Sequence, residues 1–284
     1  MSYYSVADIN IEIVGSDRTL SKMEIFCNKF VENVDVKYEI TYLSNKLSYE
    51  FMNLIYEGIL FAEYEDGEHI YRIFEPLLKG KRRQVVVERK KEQYANWNIL
   101  LDKEFMGKYP EYFNFAHHLA FETVLCQFQG FILHSSVVSY QGKGILFSAP
   151  SGMGKSTQAE LWEKYKQAEI INGDRACIRR IDGRFFAYGS PLAGSSGIYK
   201  NQRIEIKAII ILKQAKENSI RKLCAGEAFC CLYRETLINM WDKQFVIAVT
   251  GLISNLIDCI PVYELACRPD EDAVNLVYDK VLKN

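Results

Sequence analysis

The ten residues SAPSGMGKST, positions 148–157, end in Gly-Lys-Ser-Thr but open with Ala149 where a phosphate-binding loop ordinarily carries glycine. A phosphate cradle needs a buried strand to fix its start and small residues that let backbone N–H groups turn inward. It also needs a helix whose N-terminus faces the anion. The apolar run GILF (144–147) supplies the strand, Gly152 and Gly154 supply the freedom, and a helix is predicted from Lys155 to about Tyr165. The expected nucleotide-binding set is therefore Ser151, Gly152, Met153, Gly154, Lys155, Ser156 and Thr157. Lys155 is placed to reach the β and γ phosphates of ATP, and the Ser156 hydroxyl to ligate Mg2+. Ala149 stands at the strand exit, where a small side chain is tolerated at negative φ. Pro150 removes a donor, but upstream of the amides that do the cradling.

Moving outward, strands and helices alternate on both sides of this loop. FILHSSVVS (131–139) reads as the preceding strand, and an isoleucine-rich strand ends near Asn172. A hairpin follows, 176–181 and 184–188, turned at Asp182-Gly183. The run 206–212 is nearly all apolar, as expected of a strand buried on both faces. Two helices, 227–239 and 242–257, lead to a short strand at 262–266, and a last helix starts after Pro269 with Asp270 and Glu271 in its first turn. Upstream, 113–128 carries apolar residues at helical spacing and predicts one helix stopping at Gly130. The first hundred residues read as β-rich: 10–14, 36–43, 85–87, and a hairpin over 58–74 folded on Asp66-Gly67. The division expected is an N-terminal β-rich accessory region, 1–110, and a nucleotide-binding α/β core, 111–284.

Phosphoryl transfer rests on positioning and charge neutralisation, so the site needs a carboxylate for the metal and a group to take the acceptor's proton. Asp174 follows the strand ending at Asn172, and in a parallel sheet it would share the carboxyl edge with the phosphate loop. It is the candidate metal ligand beside Ser156, and a candidate base. His134, in the strand before the loop, is the second candidate for the acceptor's proton. Among Arg175, Arg179, Arg180 and Arg203, strand alternation turns Arg179 and Arg180 to opposite faces. Arg203, after the small-residue loop GSPLAGSSGIYKN (189–201), is the chosen catalytic cation. That loop, with Ser195, Ser196, Tyr199 and Lys200, is expected to close over a substrate. His69, His117 and His118 are expected to be structural or exposed.

Composition narrows the partners. The 284 residues carry 35 Lys+Arg against 36 Asp+Glu, a net charge of -1, so no global field recruits nucleic acid or an anionic membrane. Eight cysteines without a Cys-x-x-Cys pair read as reduced core residues. The start lacks a basic stretch followed by an apolar run, and no apolar run approaches the roughly 20 residues that span a bilayer. The expected location is cytoplasmic.

The segments HSSVV, GKGILFSAPSGMGKST, INGD and GSPLAGSSGIYKN occur in this order and spacing. In them the chain resembles the HPr kinase/phosphorylase catalytic domain, and more closely the small bacterial HPr-kinase-like proteins. The resemblance covers roughly 113–283 and implies a fold shared with phosphoenolpyruvate carboxykinase, with the phosphate loop in a mixed sheet. It implies nucleotide and metal roles for Lys155 and Ser156, an active-site histidine at His134, an acid at Asp174, and a homo-oligomeric assembly. Relatives carry two adjacent aspartates where this chain has Gly173-Asp174, and many carry Lys-Glu in place of Ser195-Ser196. The reading that follows is an ATP- and Mg2+-dependent kinase acting on a Ser or Thr hydroxyl of a peptide or small protein. A nucleotide-binding sensor or scaffold without turnover, and a carboxykinase-like or small-molecule phosphotransferase, remain as alternatives.

Overall fold

In the computed structural model the described residues are 1–16 and 18–283, and the side chain of Ser195 lies outside them. The chain divides into two compact units, Met1–Val124 and Leu125–Asn284.

The first unit is built on strands β1 (Ser2–Val6), β2 (Ile9–Val14), β3 (Cys27–Asn28), β4 (Val36–Leu43), β5 (Asn53–Glu57), β6 (Ala62–Glu65) and β7 (His69–Phe74). The short strands β8 (Leu77–Leu78) and β9 (Lys81–Arg82) pair only with each other, and β10 (Val85–Lys90) and β11 (Asn96–Asp102) return to the main sheet. Nine strands lie in the order β3-β1-β2-β4-β11-β10-β7-β6-β5. Period-two burial, with Ile9, Ile11 and Ile13 inside on β2 and Val36, Tyr38 and Ile40 inside on β4, gives the sheet one core face. The hairpin predicted on Asp66-Gly67 forms between β6 and β7, where Asp66 Oδ1 accepts from the amides of Glu68 and His69. The predicted first arm is too long by one turn: Gly58 N donates to Phe61 O and joins β5 to β6.

Helices α1 (Tyr109–Tyr112), α2 (Phe115–His118) and α3 (Phe121–Gln127) follow. The single helix expected over 113–128 is thus two short ones, broken at Ala120 with φ 43. A non-glycine residue in the left-handed region ends the i to i−4 ladder. Leu119, Ala120 and Phe121 are all buried there, so packing on every side overrides the helical spacing.

In the second unit β12 (Gly130–Tyr140) and β13 (Lys143–Ser148) form a hairpin, and α4 (Lys155–Lys166) leads to β14 (Glu169–Asn172). The hairpin β15 (Arg175–Ile181) and β16 (Arg184–Tyr188) turns at Asp182-Gly183 as predicted. Then come β17 (Arg203–Gln214), β18 (Ser219–Lys222), α5 (Ala225–Glu235), α6 (Lys243–Cys259), β19 (Val262–Cys267) and α7 (Glu271–Val281). The sheet is mixed: β13, β17 and β19 are parallel neighbours, and β12 lies antiparallel between β13 and β14. Strand β17 has cores on both faces, as its unbroken apolar run predicted. Ala208, Ile210 and Leu212 pack with Trp162 of α4 and Val274 and Val277 of α7. Ile209 and Ile211 pack with Leu232 of α5 and Val249 and Ile253 of α6. The result is a mixed α/β unit with helices on either side of its sheet. Among the described residues no helix is long and apolar enough to cross a membrane. All eight cysteines are free thiols, but only Cys126 and Cys177 are buried and Cys27, Cys224, Cys230 and Cys259 are exposed, so the expected core placement fails for half of them.

Candidate functional site

Strand pairing alone carries four chain segments to one edge. Strand β13 exits at Ser148 into the turn 149–154, and α4 begins at Lys155. Gly154 adopts φ 102 as the residue before the helix, a conformation costly for any residue with a Cβ. No side chain caps α4 and its first turn contains no acid, so no carboxylate of the helix itself competes for its leading amides. Ser136 Oγ on β12 donates to Lys155 O at 3.0 Å and ties the helix start to the sheet. Ser151, Gly152 and Thr157 are exposed, while Met153, Gly154 and Ser156 are half-buried. Lys155 is buried, and its Nζ donates to Ala149 O at 3.0 Å and Pro150 O at 3.4 Å. Burial pushes its pKa down, against the pull of the Asp174 and Glu235 charges.

The β12–β13 register pairs Ser135 with Ser148, so His134 stands one residue past the end of β13, level with the turn. Ser148 Oγ donates to His134 O at 2.9 Å and fixes that level. On the other side of β12, β14 ends at Asn172, whose Oδ1 accepts from Asp174 N at 3.1 Å. His134 Nε2 and Asp174 Oδ1 are 3.0 Å apart. The hydrogen bond from His134 is the main cause that lowers the Asp174 pKa, outweighing the opposing effect of burial. The expected same-edge placement of Asp174 is therefore met across an intervening antiparallel strand rather than inside a parallel pair.

Two residues of this cluster differ from the sequence expectation: Glu235 is not marked there at all, and Arg175 is one of four candidate arginines but not the preferred one. Glu235 is the last residue of α5, and the chain beyond it runs along β12: Thr236 bridges to Leu133 and Leu237 N donates to Ile132 O. This antiparallel contact puts Glu235 Oε2 3.1 Å from His134 Nδ1, with the Glu235 side chain only 7% exposed. The imidazole is thus held between two carboxylates. Nothing local in LYRETL marks Glu235, because its position depends on a contact with a strand about a hundred residues earlier. The second is Arg175, whose Nε lies 3.9 Å from Asp174 Oδ2. Arg203, the cation chosen from the sequence, opens β17 two strands away from β15, exposed and with its guanidinium 5.4 Å from the Phe186 ring centroid. The cation beside Asp174 is its chain neighbour.

The small-residue loop lies along the 171–175 segment. Gly173 N donates to Ile198 O, Arg175 N to Leu192 O, and Lys200 N to Ile171 O. A Cβ on Gly173 would meet Ser196 Oγ at 1.9 Å and Ser196 Cβ at 2.8 Å, so this packing leaves no room for a second aspartate there. Ser196 Oγ is itself held, donating to Ala193 O at 2.8 Å.

Among the described residues no three His, Cys, Asp or Glu side chains are gathered as a metal-holding set. The hard oxygens of Ser156 and Asp174 fit Mg2+, which takes few protein ligands and completes its shell with water and phosphate. His118 is buried, with Nδ1 3.2 Å from the Tyr109 hydroxyl and 3.3 Å from Asn114 N, and His69 lies beside Asp66 and Glu88.

No family model matches this chain, and no curated protein matches it. Among solved structures, the Hpr(Ser) kinase/phosphatase from Coxiella burnetii aligns over 54% of this chain and 91% of that one, with 12% identity and a TM-score of 0.33. A likeness that loose decides neither family nor activity, and the functional reading rests on the residues themselves.

Proposed function

We propose that this chain binds ATP through residues 151–157 and moves its γ-phosphoryl group to a hydroxyl of a peptide or small protein. The observation that carries the reading is the meeting at one sheet edge of an uncapped helix N-terminus, a buried Lys155, and the Asp174, His134 and Arg175 cluster. Loop amides and Lys155 hold the β and γ phosphates. Ser156 and Asp174 would hold Mg2+, which supplies neutralisation of the charge spread over the phosphates. As the acceptor oxygen bonds to the γ-phosphorus, the bond from that phosphorus to the ADP oxygen breaks and ADP leaves. Both ring nitrogens of His134 are engaged by carboxylates. That leaves Asp174 Oδ2 as the single oxygen for both duties, facing the metal and taking the acceptor's proton through an intervening water, while His134 fixes Oδ1. A carboxylate with a lowered pKa is a weak base, which suits a loose transition state that asks for little proton removal.

The non-catalytic alternative is favoured by one observation: the close packing of Gly173 against Ser196 leaves a single carboxylate at this turn. Incubation of the full chain with γ-labelled ATP, Mg2+ and a hydroxyl-bearing peptide library separates the two. Label transfer or ADP release that is lost in Asp174→Asn supports the kinase reading. Saturable ATP binding with neither transfer nor hydrolysis supports the binder.

A further inference from the structure

The edge that holds the cluster continues in the opposite direction. The strand order there is β14-β12-β13-β17-β19, with β13, β14, β17 and β19 pointing the same way. His134 and Asp174 belong to the β12 and β14 side of the β13 exit. On the other side, between the turn and the exits of β17 and β19, lies a cavity of about 370 Å³. Its walls are residues 152–154, Thr157 and Gln158 at the start of α4, 212–215 after β17, and 267–269 after β19. This is the crevice outside the carboxyl ends of parallel strands, where open α/β sheets take ligands. Its volume falls in the range of small-molecule sites.

We infer that this cavity takes the base and ribose of the nucleotide, so that the triphosphate crosses the 152–156 turn with its γ-phosphoryl end toward Asp174. The inference rests on the nucleotide-binding reading and adds to it a direction and a second set of residues. Three features of the wall carry it. Residues 152–154 line the cavity and belong to the turn, so ligand parts in the cavity and on the α4 amides are within one molecule's reach. The charged lining residues are Lys213 and Arg268; Arg268 is paired with Asp270 Oδ2 at 3.0 Å, and no carboxylate lines the cavity itself, which suits an anionic ligand. The apolar side chains of Met153, Leu212 and Pro269 offer a base surfaces to pack on.

Gln158 adds a polar element. It is 2% exposed, its Oε1 has no hydrogen-bond partner, and its Nε2 reaches only the weak acceptor Cys267 Sγ at 3.4 Å. A buried amide oxygen without a donor carries a desolvation penalty that a ligand N–H relieves. The amide forfeits only a thiol contact by turning toward the cavity. An amino-bearing base such as adenine supplies that donor.

Isothermal titration of the full chain with ATP and with inorganic tripolyphosphate, both with Mg2+, tests this. The wild type is expected to bind ATP at least tenfold more tightly than tripolyphosphate. Ala215→Trp, which fills the cavity from a residue outside the phosphate turn, should weaken ATP at least tenfold and leave tripolyphosphate within twofold. Gln158→Leu, close in size, should weaken ATP at least fivefold with tripolyphosphate again unchanged. Should Ala215→Trp lose both ligands through misfolding, Gln158→Leu decides. Equal affinity of the wild type for the two ligands, or full ATP affinity in Gln158→Leu, overturns the cavity assignment while leaving the turn as a phosphate site. Failure of the wild type to bind either ligand defeats the nucleotide reading itself.

Discussion

Asp174 offers one oxygen to chemistry because His134 holds the other, and His134 holds it steadily because Glu235 engages the far side of the ring. Replacing Asp174 with Asn removes the charge expected to face the metal and the acceptor. Phosphoryl transfer should fall at least about 100-fold, in line with loss of a general base, while tripolyphosphate affinity measured without Mg2+ stays within twofold. Turnover assays beside titration calorimetry read both, and equal loss of transfer and binding would place Asp174 in the phosphate cradle instead. The neighbouring glycine is a steric matter. Gly173→Ala drives a Cβ into Ser196 Oγ and should destabilise the chain by about 1–3 kcal/mol, the usual cost of overpacking. In the double variant Gly173→Ala, Ser196→Gly the added cost of Gly173→Ala should shrink to below about 0.5 kcal/mol, which denaturant melts of the four-member cycle can measure. Of the residues chosen from the sequence, Lys155 and Asp174 follow strand ends, which are legible, whereas His134 lies inside β12 and reaches the same edge because β13 ends beside it. Arg203 was chosen for its flexible loop, a local cue that could not tell which cation the sheet would bring to the carboxylate.

At the scale of elements, start signals were the most legible features. Asp242 was read as the start of a helix and caps α6, its Oδ1 accepting from Phe245 N at 3.0 Å. Asp242→Ala should cost about 1 kcal/mol, seen as a melting temperature lowered by ~2–4 °C. Asp258→Ala, an exposed position near the other end of the same helix, should change stability by less than about 0.5 kcal/mol. Equal effects would show that the cap contributes nothing beyond charge. The break between α2 and α3 was not legible, because 113–128 keeps its helical spacing throughout. What breaks it is Ala120 at φ 43, buried on every side, a consequence of packing rather than of residue preference. Nothing local marks the strands β1 and β11, for a related reason. Each is a short run whose partners, β2, β4 and β10, identify it only once the sheet is assembled.

For the molecule as a whole, the first unit carries a buried histidine, His118, that the fold holds neutral. Burial pushes the His118 pKa down to about 3 from its ordinary 6.5, so the folded unit keeps this ring neutral. Below pH 6.5 the unfolded chain takes the proton and the folded one does not. Stability from this group is therefore complete above pH 6.5 and is lost as pH falls toward 3. By pH 5 the loss amounts to ~2 kcal/mol. Hydrogen exchange between pH 7 and pH 5 should show amides of 1–124 opening before those of 125–283, and His118→Gln should flatten that dependence. An unchanged slope in His118→Gln would exclude the histidine as its origin. The sequence by itself determined what depends on neighbours along the chain: the strand, turn and helix around 148–157, the doubly buried β17, the helix caps and the hairpin turns. Local preference and hydrophobic period act within a dozen residues, and these features need no more. Only the tertiary structure decided what depends on distant segments meeting. It brought Glu235 to His134, set Arg175 rather than Arg203 beside Asp174, packed Gly173 against Ser196, and opened the cavity between the β17 and β19 exits. Strand register and the path of the chain after α5 fix those contacts, and neither is written in any single stretch of sequence.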